Sequence, residues 1–139
     1  TSITTIEKVP ARIRAARDNF RRYGKADRIC LLEGDAADVL AELCTKGDQY
    51  DFIFMDAAKG QYLNFLPDIL KMLPGNGMLI TDNVLQDGDV IQSRYAINRR
   101  DRTIHGRMRE YLYRLTHSEE LDTVILPVGD GITVSRRIK

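Results

Sequence analysis

Tyr50-Asp51-Phe52-Ile53-Phe54-Met55-Asp56-Ala57-Ala58-Lys59-Gly60-Gln61-Tyr62 opens as a continuous apolar run, ends that run on a carboxylate, and passes through a lysine into the next element. Such a run reads as a strand buried on both faces of a parallel sheet. Tyr62, Phe65, Leu66, Ile69 and Leu73 follow at helical spacing, Pro74-Gly75-Asn76-Gly77 breaks the helix, and Met78-Leu79-Ile80-Thr81 makes a second buried strand that stops at Asp82-Asn83. Strand, helix and strand in this order predict a βαβ unit with a right-handed crossover.

The same alternation continues in both directions. Upstream, the β-branched stretch Ser2 to Glu7 predicts a strand, and Pro10 suits the first turn of a helix carrying Val9, Ile13, Ala16, Phe20 and Tyr23 on one side and ending at Gly24. Arg28 to Leu32 predicts another strand, after which Asp35 can cap a helix from Ala36 to Cys44. Downstream, Ile104, Met108, Tyr111, Leu112 and Leu115 define an amphipathic helix. Thr123 to Leu126 and Ile132 to Val134 then flank Gly129-Asp130-Gly131, a hairpin signal. The expectation is an α/β fold with a doubly wound, mostly parallel sheet that finishes in an antiparallel hairpin. Ligands in such sheets bind beyond the carboxyl ends of the strands, which selects Glu7, Gly34-Asp35, Asp56 and Asp82-Asn83. Gly75-Asn76-Gly77 precedes a strand rather than a helix, so it reads as a turn and not as a cofactor loop.

Composition narrows the class of protein. With 139 residues, 43% hydrophobic and 29% charged, the chain fits one globular domain with a modest core. It contains no apolar run long enough to cross a bilayer and does not open on a basic segment followed by an apolar core. Cys30 and Cys44 have no CxxC spacing, so neither a zinc site nor a disulfide framework is indicated, and a reducing cytoplasm is the default location. The net charge of +1 hides an asymmetry: Arg94, Arg99, Arg100, Arg102, Arg107, Arg109 and Arg114 face only Asp101 and Glu110 in their stretch. That stretch is either a solvated helix face or an anion-binding surface. His105 and His117 lie on the same helix, where solvent exposure is expected.

Asp56, Asp82 and Asn83 stand at the ends of two strands expected to lie side by side. Hard oxygen donors in this arrangement suit Mg²⁺ or another oxygen-seeking divalent cation. Each of these residues also suits an ordinary turn. The surrounding motifs favour the first reading. Phe54-Met55-Asp56-Ala57-Ala58-Lys59-Gly60-Gln61-Tyr62 and Leu79-Ile80-Thr81-Asp82-Asn83-Val84-Leu85 resemble the two metal-binding blocks of the cation-dependent O-methyltransferases, the family of catechol and caffeoyl-CoA O-methyltransferases and their bacterial relatives. The resemblance extends through Thr5-Ile6-Glu7, Leu32-Glu33-Gly34-Asp35-Ala36 and Pro127-Val128-Gly129-Asp130-Gly131.

The resemblance implies a Rossmann-like fold and an S-adenosylmethionine cofactor. It implies that Asp56, Asp82 and Asn83 bind the metal, that Glu7 holds the ribose hydroxyls, that Gly34, Asp35 and Ala36 lie by the adenine, and that Asp56 also belongs to the cofactor and catalytic sets. It assigns Lys59 to the acceptor hydroxyl. A cation chelated by two neighbouring acceptor oxygens acidifies that hydroxyl, and its positive charge disfavours the ammonium form of Lys59, which could then act as general base. A homodimer and no membrane partner are also expected.

Two acceptors remain open. The arginines at positions 99, 100, 102, 107 and 109, with the Pro127 to Gly131 turn and the tail Arg136-Arg137-Ile138-Lys139, resemble the bacterial branch that methylates 5-hydroxyuridine in tRNA; a small catechol is the other. The family's first strand and glycine-rich loop would precede Ser2, with that strand between those ending at Glu7 and Asp56. The 139 residues therefore read as the C-terminal two-thirds of a single methyltransferase domain. A non-catalytic fragment acting at most as a binding module is the alternative from another class. A Mg²⁺-dependent hydrolase is disfavoured, because the strand ends carry no histidine or further carboxylate to activate water.

Overall fold

Among the described residues, 1–86 and 88–138, the computed structural model alternates strands and helices in the order β1 (Ile3–Glu7), α1 (Pro10–Arg22), β2 (Ile29–Glu33), α2 (Ala36–Lys46), β3 (Phe52–Met55), α3 (Tyr62–Met72), β4 (Met78–Thr81), α4 (Arg102–Thr116), β5 (Leu121–Leu126) and β6 (Ile132–Arg137). Lys139, the last residue of the basic tail, lies outside the described residues. The chain divides into two compact units, Thr1–Lys46 and Gly47–Lys139. No helix among the described residues is long and apolar enough to cross a membrane.

In the first unit β1 and β2 pair in parallel, from Ile3 opposite Ile29 to Glu7 opposite Glu33. Pro10 opens α1, where its missing N–H costs nothing and its fixed φ is already helical. Gly24, at φ +60°, closes the helix: its N–H reaches the Arg21 carbonyl at 3.1 Å and the Lys25 N–H reaches the Phe20 carbonyl at 2.8 Å. Ile13, Val39 and Leu43 are the buried apolar side chains of this unit. Val9 and Tyr23, expected on the buried stripe, are exposed.

In the second unit the strands run in the order β3-β4-β6-β5. β3 is parallel to β4, and β6 lies antiparallel to both β4 and β5. The α/β class and the closing hairpin stand as read from the sequence. Among the described residues the ladders fall into two sheets, one in each unit.

The two faces of the four-stranded sheet differ. Leu79 and Thr81 of β4 and Thr133 and Ser135 of β6 are fully buried. Tyr111 of α4 reaches that face, its hydroxyl 2.6 Å from Thr81 Oγ1. Tyr62, Phe65, Leu66, Ile69 and Met72 of α3 and Met108, Tyr111, Leu112 and Leu115 of α4 complete the core. The opposite face is not closed over, since Phe52 and Phe54 of β3 are 55% and 56% exposed. This corrects the expectation of a strand buried on both sides. A second correction concerns the first turn of α4: Met108, Tyr111, Leu112 and Leu115 are buried as expected, but His105 rather than Ile104 begins the inner stripe.

Candidate functional site

Met55 and Thr81 are register partners at the ends of β3 and β4, and the Asp82 N–H donates to the Met55 carbonyl at 3.1 Å. Asp56 and Asp82 therefore leave the sheet from neighbouring strands, whose spacing is about 4.8 Å. Tyr62, at the start of α3, links the two strand ends. Its hydroxyl accepts from the Ala57 N–H at 3.4 Å and donates to the Asp82 carbonyl at 3.2 Å. Burial raises the Tyr62 phenol above its ordinary value, the Ala57 amide opposes this, and the charges of Asp56 and Asp82 raise it further. The phenol stays protonated and can keep donating.

Asn83 has φ +53°, a left-handed conformation that asparagine tolerates better than most residues, and its N–H is held by Asp82 Oδ1 at 2.7 Å. The structure thus places Asp82 and Asn83 directly after β4, beside the strand end that carries Asp56. Among the described residues no three histidine, cysteine, aspartate or glutamate side chains gather as a metal site. The donors at these strand ends are two carboxylates and one amide, a set whose chemistry fits a hard divalent cation that keeps positions for other oxygens.

Lys59 begins a short 3-10 turn, Lys59–Gln61, closed by the Gln61 N–H on the Ala58 carbonyl at 2.7 Å. Two contacts from distant parts of the chain brace it. Arg107 of α4 donates from Nε to the Gly60 carbonyl at 2.6 Å and from Nη2 to Asn64 Oδ1 at 2.8 Å. Asp130 Oδ2 lies 3.4 Å from Lys59 Nζ. Asp130 is itself fixed to the strand-end loop, because the Leu85 N–H donates to its carbonyl at 2.9 Å and the Val84 N–H donates to the Gly131 carbonyl at 3.0 Å. Gly131 is required there, since its φ is +78° and a Cβ would run into the Leu85 side chain. Reading Gly129-Asp130-Gly131 only as a turn misses Asp130, although a carboxylate between two glycines at the sheet end was a usable signal.

Of the cofactor residues read from the sequence, Glu7, Gly34, Asp35 and Ala36 lie in the first unit and Asp56 in the second. Glu7 Oε1 accepts from the Lys8 and Val9 amides at 2.8 and 2.9 Å, and Oε2 lies 3.8 Å from Arg12 Nη1. The Val9 amide above all, with Lys8 and Arg12, outweighs desolvation and holds this carboxyl below its ordinary value. Asp35 caps α2 through the Ala37 N–H at 3.0 Å and pairs with Lys8 Nζ at 3.0 Å; the Lys8 hydrogen bond is the main cause of its lowered value. Gly34, whose N–H reaches the Glu7 carbonyl at 3.1 Å, has φ +154° and carries the chain from β2 towards Ala36 and α2. Glu7 and Asp35 are thus ionised acceptors at the ends of adjacent parallel strands. That chemistry fits a ribose diol and an adenine amino group.

The arginines divide into two groups. Arg102 Nε donates to the Ile97 carbonyl at 3.1 Å, Arg109 Nη1 to the Val90 and Gln92 carbonyls at 3.3 Å, and Arg114 pairs with Glu110 at 2.9 Å. With Arg107 these serve the fold. In the tail, Arg137 binds the Leu70 and Leu73 carbonyls and Glu120, and Arg136 pairs with Asp122 at 3.7 Å. Arg94, Arg99 and Arg100 are exposed, and of these only Arg100 has an acidic neighbour among the described residues, Asp101 at 3.4 Å.

A family profile described as O-methyltransferase matches residues 1–138. A caffeoyl-CoA O-methyltransferase from Eucalyptus gunnii is 34% identical over 123 residues, covering 86% of this chain and 49% of that protein. The structure of the Podospora anserina methyltransferase PaMTH1 bound to SAH superposes with a TM-score of 0.82 at 31% identity, over 100% of this chain and 62% of that one. An O-methyltransferase from Bacillus cereus in complex with SAH gives 0.85 at 25% identity, over 98% and 62%. The chain spans about half the length of the curated relatives it matches.

Proposed function

The chain belongs to the O-methyltransferase family, and from that premise we propose that its parent protein transfers a methyl group from S-adenosylmethionine to a hydroxyl that has a second oxygen beside it, with a divalent cation at the Asp56, Asp82 and Asn83 end of β3 and β4. The observation that carries this reading is the pair of carboxylates leaving register-matched strand ends, with Lys59 braced in the turn that follows Asp56.

The division of labour follows from the residues. Glu7 and Asp35, whose carboxyls are held below their ordinary values, would accept from the cofactor's hydroxyl and amino groups. Asp56, Asp82 and Asn83 supply hard oxygens, and Tyr62 keeps the two strand ends locked together. A cation held by this set would acidify the acceptor hydroxyl and fix the direction of attack. Lys59 would take the acceptor hydroxyl's proton at Nζ, and S-adenosylmethionine, when bound, would supply the methyl group, its sulfur leaving with the bonding pair.

For the acceptor, the exposed guanidinium groups of Arg94, Arg99 and Arg100 favour 5-hydroxyuridine in tRNA, where the hydroxyl stands next to a carbonyl. The caffeoyl-CoA names of the relatives favour a small phenolic acceptor as the second reading. Methyl transfer from labelled S-adenosylmethionine, with an RNA containing 5-hydroxyuridine and with a catechol offered in parallel and with the cation present or chelated, separates them. Transfer to neither acceptor, with no cofactor binding by calorimetry, would leave the chain as a non-catalytic module.

A further inference from the structure

We propose that the segment from Ile91 to Arg100 is a preformed contact surface for an unpaired RNA loop, with Tyr95 as the stacking platform and Arg94, Arg99 and Arg100 as the phosphate contacts. The proposal deepens the tRNA reading and rests on it for the acceptor, but it concerns binding rather than transfer.

The first observation is exposure. Tyr95 is 88% exposed and Ile91 80%, the two most exposed large apolar side chains among the described residues, and they lie four residues apart. The second is that the segment carrying them is anchored. Ile97 is 5% exposed and roots it in the core. Arg102 holds the Ile97 carbonyl, Arg109 holds the Val90 and Gln92 carbonyls, and His105 Nε2 lies 3.3 Å from the same Gln92 carbonyl. Internal bonds from the Ala96 N–H to the Ser93 carbonyl and from the Asp101 N–H to the Asn98 carbonyl, both 2.9 Å, shape it further. Three basic side chains of α4 are thus spent on positioning, so that three others and a tyrosine are presented.

This division changes which arginines carry the contact. Arg102, Arg107 and Arg109, expected to meet phosphate, are committed to backbone carbonyls. Arg94, Arg99 and Arg100 remain, on the same segment as the exposed ring. An exposed aromatic ring on a segment that also carries unburied guanidinium groups is the combination that binds unstacked bases and their backbone. Double-stranded RNA presents no base face to such a ring, so the fitting partner is a loop.

The test is fluorescence anisotropy of the chain with a labelled RNA stem-loop, its perfectly paired counterpart, and coenzyme A as competitor, across a range of salt. Expected are preference for the stem-loop, a loss of about fivefold to a hundredfold in affinity for Tyr95→Ala, and a fall in the salt slope of about one for each of Arg94→Ala, Arg99→Ala and Arg100→Ala. Arg21→Ala, which removes a surface charge paired with Asp18 on α1, should leave binding unchanged. Equal binding of loop and duplex, or affinities that ignore Tyr95 and the three arginines, overturns the proposal, as does displacement of the RNA by stoichiometric coenzyme A. RNA binding without methyl transfer would leave this proposal standing and reduce the chain itself to a binding module; catechol methylation without RNA binding would overturn this proposal and leave the enzymatic reading standing.

Discussion

Lys59 and Asp130 are 71 residues apart in sequence, yet their side chains meet at 3.4 Å because the hairpin turn is bonded to the loop that follows β4. The carboxylate holds the lysine beside the strand ends. Replacing Asp130 with asparagine keeps the size and removes the charge. Turnover should fall about tenfold to a hundredfold, the cost of misplacing a reacting group, while the Michaelis constant for the cofactor changes little. Unchanged turnover would show that the pair has no part in positioning Lys59.

Lys59→Ala should slow transfer by about a hundredfold to ten-thousandfold, with cation and cofactor affinities nearly intact. Lys59→Arg separates base from counter-charge, because arginine keeps the charge and does not give up its proton near neutral pH. Recovery of most of the rate by arginine would assign Lys59 an electrostatic role.

Calorimetric titration with Mg²⁺ or Mn²⁺ should show binding that disappears in Asp56→Ala and in Asp82→Ala. Tyr62→Phe, which keeps the ring and removes the link between the Ala57 amide and the Asp82 carbonyl, should weaken it less. Equal affinity in all four proteins would remove the cation from these strand ends.

Thr81 and Tyr111 are both fully buried and share one hydrogen bond of 2.6 Å. Tyr111→Phe leaves the Thr81 hydroxyl without this partner and should cost about 1–3 kcal/mol in urea denaturation. Adding Thr81→Val should recover part of that loss, because the orphaned hydroxyl is then removed as well. Additive losses in the double variant would mean that the two hydroxyls do not depend on each other.

Glu7 and Asp35 titrate below their ordinary values of 4.5 and 3.8 in the folded chain. A carboxyl lowered by folding contributes stability that is present above its unfolded value and lost as pH falls through the folded one. The first unit should therefore lose stability below the ordinary carboxylate range, and Glu7→Gln or Asp35→Asn should flatten that loss. Circular dichroism of acid unfolding checks it, and an acid limb with the same slope in both variants would assign the loss to other groups.

The order of elements, the hairpin and the strand-end carboxylates were legible because apolar runs, glycine breaks and terminal aspartates are local signals. The inner stripe of α4 was legible from Met108 to Leu115, but its first position was not. Ile104 and His105 both fall on a stripe with Met108 and Leu115, and hydrophobicity favours isoleucine, whereas the packed helix turns the histidine inward and bonds it to Gln92. The apolar run Phe52 to Met55 identified a strand but could not say whether something covers each of its faces. The Lys59 to Asp130 contact depends on chain closure over 71 residues, for which no local pattern exists.

The face of the second sheet that carries Phe52, Phe54, Val124 and Leu126 bears on how the chain behaves in a test tube. Phe52 and Phe54 alternate along β3, whose outer edge has no ladder partner among the described residues. Exposed aromatic side chains beside an unpaired edge are a template for aggregation. Preparations of the 139-residue chain should therefore scatter light increasingly with concentration and bind the dye ANS in the native state. A lysine at Phe54, pointing into water from that edge strand, would act as a gatekeeper and improve the colloidal behaviour without touching the core.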